Sequence, residues 1–443
     1  MEGLLEMAEK VCDQAEIFAL DYTSNQVSFQ NAKLHDIDTN MQSGLSLRII
    51  KDGKSGFAYT RNLLDREEFL QNALEAVKGG VEAEFEFPLT TDVAQLDTCD
   101  ASVKSLSSAT MVAECARVCD RLTANTNGEI VAAAYSSFGT MRLLNSAGTN
   151  LSSNFSETGV YGYAIYPGSG NGIGRVHTCK AFESMPDALL DEIIFLYTKS
   201  AREVVPQTGK MKVLFMPNSI YTLTWRIKSG ANAKSVYEKI SPIAQKVGER
   251  IFDPKFTLVS DPLNDEHPDA RAFDDEGTPC STFPIVENGV LQGFYCDLNY
   301  AKKLNTRSTG HGFKAQQWGG DVFSLRPNPA LTHLTIKPGD MSFTDMVKSM
   351  EKGLIVEGAL GAHSGNIPNG DYSIGADPAL YVENGEIVGR AKDVMVAGNI
   401  YDTLKHVVAI EDILHFGHDG CFPAILCDNV SVSANGLETP LKK

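Results

Sequence analysis

The alternation of apolar and polar positions predicts strands and helices in turn over the first half of the chain. EIFALDYTSNQVSFQ and GLSLRIIKDGKSGFAYT have the two-residue period of sheet strands. DREEFLQNALEAVKGG has a helical period, with Asp65 as its N-cap and glycines as its stop signal. A helix ending near Gln14, an amphipathic helix over residues 102–125, long strands through Tyr166 and a helix over PDALLDEIIFLYTKSAREVV complete an α/β unit.

The second half changes in character near residues 206–210. Strands and turns rich in Gly, Asn and Asp follow, with one clear helix around AKSVYEKISPIAQKVGERI. VENGVLQGFY and VENGEIVGRA each place Asn-Gly between apolar runs, which is a hairpin signal. The pattern predicts an α+β protein with an N-terminal α/β domain over residues 1–205 and a β-rich, largely antiparallel C-terminal domain over residues 206–443.

Composition supports this organisation and limits the ligands. A chain of 443 residues, 43% of them hydrophobic, can bury about two cores. Lys and Arg number 39 against 56 Asp and Glu, and the formal net charge of -17 disfavours direct binding of nucleic acid. The first residues lack a signal peptide's basic and apolar regions, and nowhere do about 18 apolar residues run together. We therefore expect a cytoplasmic protein without membrane contact, and its nine cysteines as free thiols.

Three short motifs indicate structure rather than catalysis. KDGKSG carries Arg48 where a phosphate-binding loop needs its first glycine, so it predicts a turn between strands. GSGNGIG lacks the strand and helix that flank a nucleotide fingerprint. GAHSGN places a histidine beside Ser364, but neighbours in sequence do not establish the hydrogen bond of a nucleophilic pair, and a glycine-rich loop is the preferred interpretation.

One group of residues has a spacing that is compatible with a metal site. None of the nine histidines is followed by glutamate, so the zinc-peptidase motif H-E-x-x-H is absent. His415, His418 and Cys421 of HFGHDGC have spacing that allows ligation, and a chance grouping in a loop is the alternative.

A second candidate is the acidic run in FDDEGTP. Asp274, Asp275 and Glu276 could supply metal ligands or acid/base carboxylates to an independent hydrolase. A solvated turn is the favoured interpretation of such a run.

A long C-terminal stretch resembles a known family. GLIVEGALGAHSGNIPNGDYSIGADPALYVENGEIVGRAKDVMVAGNIYDTLKHVVAI is similar to the signature of the TldD/PmbA family, long labelled modulators of DNA gyrase. AEIFAL, IIKDGKSGFAYT, FDDEGTPCSTFPIVENGVLQGFYCDLNYAKKL and STGHG support the resemblance in the same order along the chain.

The resemblance implies which kind of subunit this is. The family has TldD-type metallopeptidase subunits, with an H-E-x-x-x-H helix and a cysteine before a Gly-Lys-x-Gly turn, and TldE/PmbA-type partners that lack the metal site. Here the corresponding helix region reads YTLTWRIKSGANAKSVYEK, without histidine. Phe416 stands where the cysteine would be, and Cys421 follows five residues later. The resemblance therefore implies a TldE/PmbA-like chain with no catalytic residues and no metal cofactor.

The implied function is that of a non-catalytic subunit in a TldD/TldE-type zinc metallopeptidase that processes or degrades unfolded peptides. Its partner would be a TldD-type subunit, a second copy of the chain, or both. A peptide-binding protein without a peptidase partner and an independent hydrolase with a divergent metal site are the alternatives. We expect Gly361, His363, Ser364, Gly365 and Asn366 to contact peptide backbone in a cavity between subunits, with a tight structural connection as the alternative for this loop.

Overall fold

The computed structural model describes residues 1–316, 319–417 and 420–434, and these form an α+β fold. The helices are α1 Glu2–Ala8, α2 Arg66–Lys78, α3 Ser108–Asn125, α4 Asp187–Lys199, α5 Tyr221–Ala231, α6 Ala233–Tyr237, α7 Leu298–Lys303, α8 Phe343–Lys348 and α9 Ile400–Thr403, with 3-10 helices at Ala101–Ser105, Pro217–Ser219 and Ile367–Asn369. Among the described residues, no helix is long and apolar enough to cross a membrane.

The strands of the described residues belong to four sheets. They are β1 Gln14–Gln30, β2 Lys33–Lys51, β3 Lys54–Thr60, β4 Glu129–Asn145, β5 Asn150–Ile165, β6 Gly172–Cys179, β7 Glu203–Val204, β8 Gly209–Phe215, β9 Leu258–Ser260, β10 Phe283–Glu287, β11 Val290–Leu291, β12 Gly312–Phe313, β13 Asn328–Pro329, β14 Leu334–Ile336, β15 Lys352–Val356, β16 Ala359–Leu360, β17 Asp371–Ala376, β18 Ala379–Glu383, β19 Glu386–Ala391, β20 Val394–Asn399, β21 Val407–Ile410, β22 His415–Gly417, β23 Gly420–Phe422 and β24 Ile425–Ala434.

The first sheet is antiparallel throughout, in the order β3-β2-β1-β4-β5-β6. Helices cover one of its faces at both ends of the long strands. Ile17 packs with α1 and α2, and Val27, which lies on the same face because strand side chains alternate, packs with α3 and α4. Cys115 and Cys119 of α3 are buried in this core. All nine cysteines are described and are free thiols.

The largest sheet is buried on both faces. Its order is β16-β17-β20-β24-β8-β15-β18-β19-β7, with β21 also paired to β24. In the apolar run of β8, Val213 and Phe215 pack in a core that contains α5, whereas Leu214 packs in the core that contains α3 and α4. The two halves of the chain therefore share one of their cores, and a domain boundary near residue 205 stays a prediction.

A six-stranded sheet, in the order β11-β10-β9-β14-β23-β22, lies against the same core as α5. Its strands pair antiparallel except β14 with β23. Both Asn-Gly hairpins are confirmed: β10 and β11 are joined at Asn288, and β18 and β19 at Asn384, each with the positive φ that such turns require.

Several local predictions are confirmed by the backbone. Asp65 caps α2 by accepting hydrogen bonds from the backbone N–H groups of Glu67 and Glu68. KDGKSG forms the turn between β2 and β3, with Asp52 at φ 50°. GSGNGIG continues into β6 rather than into a helix, as expected, but β5 ends at Ile165 just before it, so the expectation that no strand precedes it was wrong.

The helix predictions were wrong in four places. The helix expected around AKSVYEKISPIAQKVGERI is only α6, because Lys239 adopts φ 61° and Pro242 follows. α1 ends at Ala8 rather than near Gln14, and α3 begins after the cap of Ser107 rather than at residue 102. The local pattern did not predict α5, because its stretch TLTWRI alternates like a strand and a helix buried on most sides shows no polar face; only the family resemblance implied a helix in this region.

Candidate functional site

The segment GAHSGNIPNGDYSIGAD forms a turn at the edge of the largest sheet. β16 is the last strand in that sheet, and it pairs with β17 in the register Leu360 to Gly375. Between these strands, residues 361–370 reverse direction through the 3-10 helix Ile367–Asn369. Residues 361–370 are called the edge loop below, and strand pairing closes the edge loop at its base.

Arg226 of α5 holds the edge loop in place. Its side chain is fully buried, and it donates from Nη2 to the carbonyl oxygen of Ser364 (2.9 Å) and from Nε to that of Asp371 (2.7 Å). Nη1 donates to the carbonyl oxygen of Thr222 within α5 (2.8 Å). Burial lowers the pKa of Arg226 to about 10. The guanidinium group thus connects α5 to Ser364 within the edge loop and to Asp371 directly after it, through neutral carbonyl acceptors.

The outer part of the edge loop is exposed. His363, Ser364, Gly365 and Asn366 face solvent, whereas Ala362 is 4% exposed and packs into the core that contains α5. One buried apolar residue and one buried arginine therefore hold a short polar stretch at the surface. An anchored stretch of this kind can present hydrogen-bonding groups without a large ordering cost on binding.

Glycines are required in the edge loop by its backbone. Gly361, Gly365 and Gly370 have φ of 70°, 91° and 89°. A Cβ on Gly370 would also lie 2.7 Å from the Tyr401 ring. Substituting these glycines would strain the fold, so side-chain variants at the exposed positions are the sharper test of binding.

A shallow hollow lies beside the edge loop. Leu360, Gly375 and Met395 stand opposite one another on β16, β17 and β20. Leu360 is 53% exposed and Met395 is 43% exposed. They line a cavity of about 330 Å³ together with charged residues, among them Lys392. The absent side chain of Gly375 leaves an apolar gap between two exposed side chains.

The acidic turn of FDDEGTP is buried, so the solvated-turn interpretation was wrong. Asp274, Asp275 and Glu276 are 0%, 5% and 0% exposed. Glu276 accepts from Arg48 Nη1 at 2.7 Å, and Asp275 accepts from Arg271 Nη2 at 2.6 Å. Arg48, from a distant part of the chain, and Arg271, four residues from Asp275, neutralise these carboxylates, which would otherwise be costly to bury.

Backbone N–H groups donate hydrogen bonds to the remaining carboxylate of this turn. Asp274 accepts from the N–H groups of Glu276, Thr278 and Gly312 at 2.8 to 3.0 Å. Burial, followed by the charge of Glu276, raises the pKa of Asp274 well above its usual value. Burial and Glu276 also raise the pKa of the nearby Asp297 to about 7. The carboxylates are occupied internally, so the turn is a structural element and does not offer open metal or acid/base groups.

Within the segment HFGHDGC, the described strands β22 and β23 pair as a hairpin at the edge of the six-stranded sheet. His415 pairs with Phe422, and Phe416 pairs with Cys421. Paired residues share a face of the sheet, and successive residues along a strand alternate between the two faces. This register therefore places the His415 and Cys421 side chains on opposite faces of the sheet. His415 Nε2 lies 3.0 Å from Glu411 Oε2. His418 lies outside the described residues.

The hairpin forms one wall of a cavity of about 440 Å³, and β6 forms another. His177 and Cys179 lie on β6, and Glu183 lies on the connection to α4. His177 Nε2 is 3.2 Å from both Cys179 Sγ and Glu183 Oε2. Burial, with the nearby Glu183, raises the pKa of the Cys179 thiol to about 12.

Sequence reasoning missed this cluster. The available signal was HTCKAFE, in which a two-residue step along a strand places His177 and Cys179 on one face. The pattern does not show the path of the connection after β6. This connection brings Glu183 back to His177 and Cys179.

Comparisons with known proteins agree with this architecture. Residues 208–434 match the PmbA/TldA metallopeptidase C-terminal domain, and residues 15–83 match PmbA/TldA metallopeptidase domain 1. The fold is similar to the crystal structure of TldE from Thermococcus kodakarensis, with a TM-score of 0.89 and 23% identity over 98% of this chain and 100% of that one.

Two curated relatives extend the comparison. An uncharacterised protein from Methanocaldococcus jannaschii is 23% identical over 93% of this chain and 95% of its own length. A metalloprotease PmbA homologue from Haemophilus influenzae is 28% identical over 52% of this chain and 47% of its own length. The matched C-terminal domain covers more than half of the chain, and the chain belongs to the PmbA/TldD metallopeptidase family.

Proposed function

We propose that this chain is a TldE/PmbA-type subunit that lacks catalytic metal ligands and helps a TldD-type metallopeptidase to bind unfolded peptides. The observation that carries the proposal is the composition of α5, the helix in the region where the family resemblance puts the metal ligands. Residues Tyr221–Ala231 read YTLTWRIKSGA, without His, Cys, Asp or Glu. A zinc ion has no donors on this helix.

The buried charge on α5 supports the same conclusion. Arg226 is fully buried and is held at Ser364 and Asp371 by hydrogen bonds. A fixed guanidinium repels a divalent cation in a low-dielectric interior. The residues present therefore do not fit the zinc ion that the family name implies, and no hydrolytic step is assigned to this chain.

Peptide contact is proposed at the edge loop and the hollow beside it. Exposed His363, Ser364 and Asn366 offer side-chain hydrogen-bonding groups. β16 ends its sheet, and an edge strand can pair with an extended peptide. The apolar gap at Gly375 would accept a side chain of that peptide. Gly361 and Gly365 would serve by allowing the peptide backbone to come close.

The remaining parts of the proposal follow from the family. The partner is a TldD-type subunit, with a homodimer as the form of the isolated chain, and the assembly works on peptides in the cytoplasm. A catalytically silent subunit would complete the substrate cavity and hold the partner's active site in its working arrangement.

A substitution at Gly375 tests the proposed contact. Gly375→Val fills the hollow, and an added Cβ there meets Leu360 Cβ at 3.5 Å, an ordinary contact. We expect the complex with a TldD-type subunit to form normally and its peptide cleavage to fall at least about tenfold, a loss of about 1.4 kcal/mol in transition-state binding.

The matched control is Gly293→Val, where an added Cβ meets only the Phe283 ring at 3.5 Å. It should leave cleavage unchanged. Equal activity of the Gly375→Val and wild-type complexes would remove the hollow from the proposed site. Failure of the wild-type chain to associate with any TldD-type subunit would remove the proposed function itself.

A further inference from the structure

One cluster of metal-binding side chains lies away from α5 and has no part in the proposed peptide contact. Within the described residues, His177, Cys179 and Glu183 place a ring nitrogen, a thiol sulfur and a carboxylate oxygen within 4.8 Å of one another. We propose that these three residues bind a single Zn²⁺ ion or a similar borderline-soft divalent cation.

The strand geometry explains why two of the donors converge. His177 and Cys179 are two residues apart on β6, so both side chains leave the same face of the strand. β6 is the last strand of its sheet, and this part of it has no further strand beside it in that sheet order. The two donors therefore stand at an accessible edge of the molecule.

The connection after β6 supplies the third donor. The chain leaves the sheet after Cys179, and Glu183 Oε2 returns to 3.2 Å from His177 Nε2 before α4 begins. Glu183 is 63% exposed and His177 is 20% exposed. Cys179 Sγ is 3.2 Å from the same ring nitrogen. Donors at these separations need only small shifts to surround one ion at bond lengths of about 2.0 to 2.3 Å.

The chemistry of the donors selects the ion. A thiolate and an imidazole favour Zn²⁺ or Co²⁺ over Mg²⁺ and Ca²⁺, which prefer sets of oxygen donors. Three protein donors leave a fourth tetrahedral position for water or a ligand. The cluster lines the cavity of about 440 Å³, which has room for such a group. Binding would release the thiol proton of Cys179 to solvent.

This inference departs from the sequence-based expectation of no metal cofactor, and it concerns other residues than His415, His418 and Cys421. The proposed ion lies on β6 and its following connection, not on α5. Its presence would make the edge of the first sheet rigid beside the hairpin of β22 and β23. It assigns no peptidase activity to the chain, so it stands or falls separately from the proposed subunit role.

Cobalt titration of the purified full chain tests the site directly. Co²⁺ should bind with one equivalent per chain and give a thiolate-to-metal charge-transfer band, which Zn²⁺ displaces and Mg²⁺ does not. Cys179→Ser should abolish the band. His177→Ala should weaken binding at least about 100-fold, since losses of second-shell groups alone cost about 10- to 100-fold.

Variants in the same cavity provide the controls. Cys421→Ser and His415→Ala should bind Co²⁺ as the wild type does, and Glu183→Gln, at an exposed position, should weaken binding without unfolding the chain. Thermal melting of each metal-free variant checks its fold, and added Zn²⁺ should raise the melting temperature of the wild type, Cys421→Ser and His415→Ala, but not that of Cys179→Ser. A band that survives Cys179→Ser, a band lost on Cys421→Ser, or no binding by the wild type would each overturn the proposal.

Discussion

Two polar turns of the second half of the chain have opposite environments. The turn at Asp274 to Glu276 is buried, whereas the edge loop at His363 to Asn366 is exposed. Both are polar, and both belong to segments that resemble the family. The difference comes from their partners, since Arg48 comes from β2 to neutralise the first turn, whereas Arg226 donates hydrogen bonds to neutral backbone carbonyl groups at the second.

The comparison separates stability from function. A buried carboxylate that loses its cation leaves an uncompensated charge in the interior, so the acidic turn should control folding. An exposed loop whose base is anchored can change its outer side chains at little cost, so the edge loop should control binding. Variants of each region should therefore affect different measurements.

Removing Arg48 should give the largest effect. Arg48→Ala leaves Glu16 and Glu276 buried without their shared cation. We expect the free energy of unfolding to fall by about 3–5 kcal/mol, measured by urea denaturation. The control is Arg121→Ala, whose ion pair with Asp191 is exposed and should contribute little to stability. Similar losses in the two variants would contradict the structural role of the turn.

Arg226→Met should have the next largest effect. The substitution retains much of the buried volume but leaves the carbonyl oxygens of Thr222, Ser364 and Asp371 without this donor. The expected loss is about 1–3 kcal/mol, because buried acceptors remain unsatisfied. Hydrogen exchange should rise in residues 361–371 and stay unchanged in β4. Unchanged exchange in the edge loop would show that Arg226 does not anchor it.

A pH-dependent effect should appear at Asp297. The pKa of this carboxyl is raised from 3.8 to about 7 in the folded protein, so its stabilising contribution is complete below the lower value and is lost as pH rises through the higher one. Asp297→Asn retains an acceptor for the Tyr300 N–H group and carries no charge. At about pH 8 the variant should be more stable than the wild type by at least about 1 kcal/mol.

The gain from Asp297→Asn should shrink as the pH falls through about 7 toward about 4, because the folded wild-type carboxyl becomes neutral, and the linkage is complete below the unfolded pKa of 3.8. Urea unfolding at several pH values measures this trend. A constant difference across the range, or a loss of stability at high pH, would contradict a raised pKa at this position.

Much of the fold was predictable from local signals. The period of two along β1 and β2, the cap at Asp65 and the Asn-Gly turns at Asn288 and Asn384 depend on neighbouring residues, and all of these were predicted. α5 was not predictable in this way, because its TLTWRI pattern reflects burial on most sides. The order of strands in the largest sheet likewise depends on pairings between distant segments.

In the candidate site, too, local features were predictable and contacts between distant residues were not. The edge loop was recognised as a glycine-rich segment, and its exposure at His363 follows from contacts that only the fold reveals. The burial of Glu276 required Arg48, which lies 228 residues away in sequence. The cluster of His177, Cys179 and Glu183 required the course of the connection after β6. Interactions distant in sequence leave no periodic signal.

The smallest effect on stability should come from the exposed edge loop. His363→Ala and Ser364→Ala, alone or together, should change the free energy of unfolding by less than about 0.5 kcal/mol. Their effect should appear instead in peptide cleavage by the complex. His406→Ala, at another exposed histidine, is the matched control for both measurements. A large loss of stability would show that the edge loop, like the acidic turn, controls folding rather than binding.

The central claim is that this chain assists peptide cleavage without performing it. The direct measurement is chelator-sensitive cleavage of an unstructured peptide by the isolated chain, by a TldD-type subunit alone, and by the two together, with Zn²⁺ present throughout. The account predicts no cleavage by the isolated chain, activity created or raised by mixing, and a reduced rise with the variant carrying both His363→Ala and Ser364→Ala. Cleavage by the isolated chain, or no effect of adding it to the TldD-type subunit, would contradict the account.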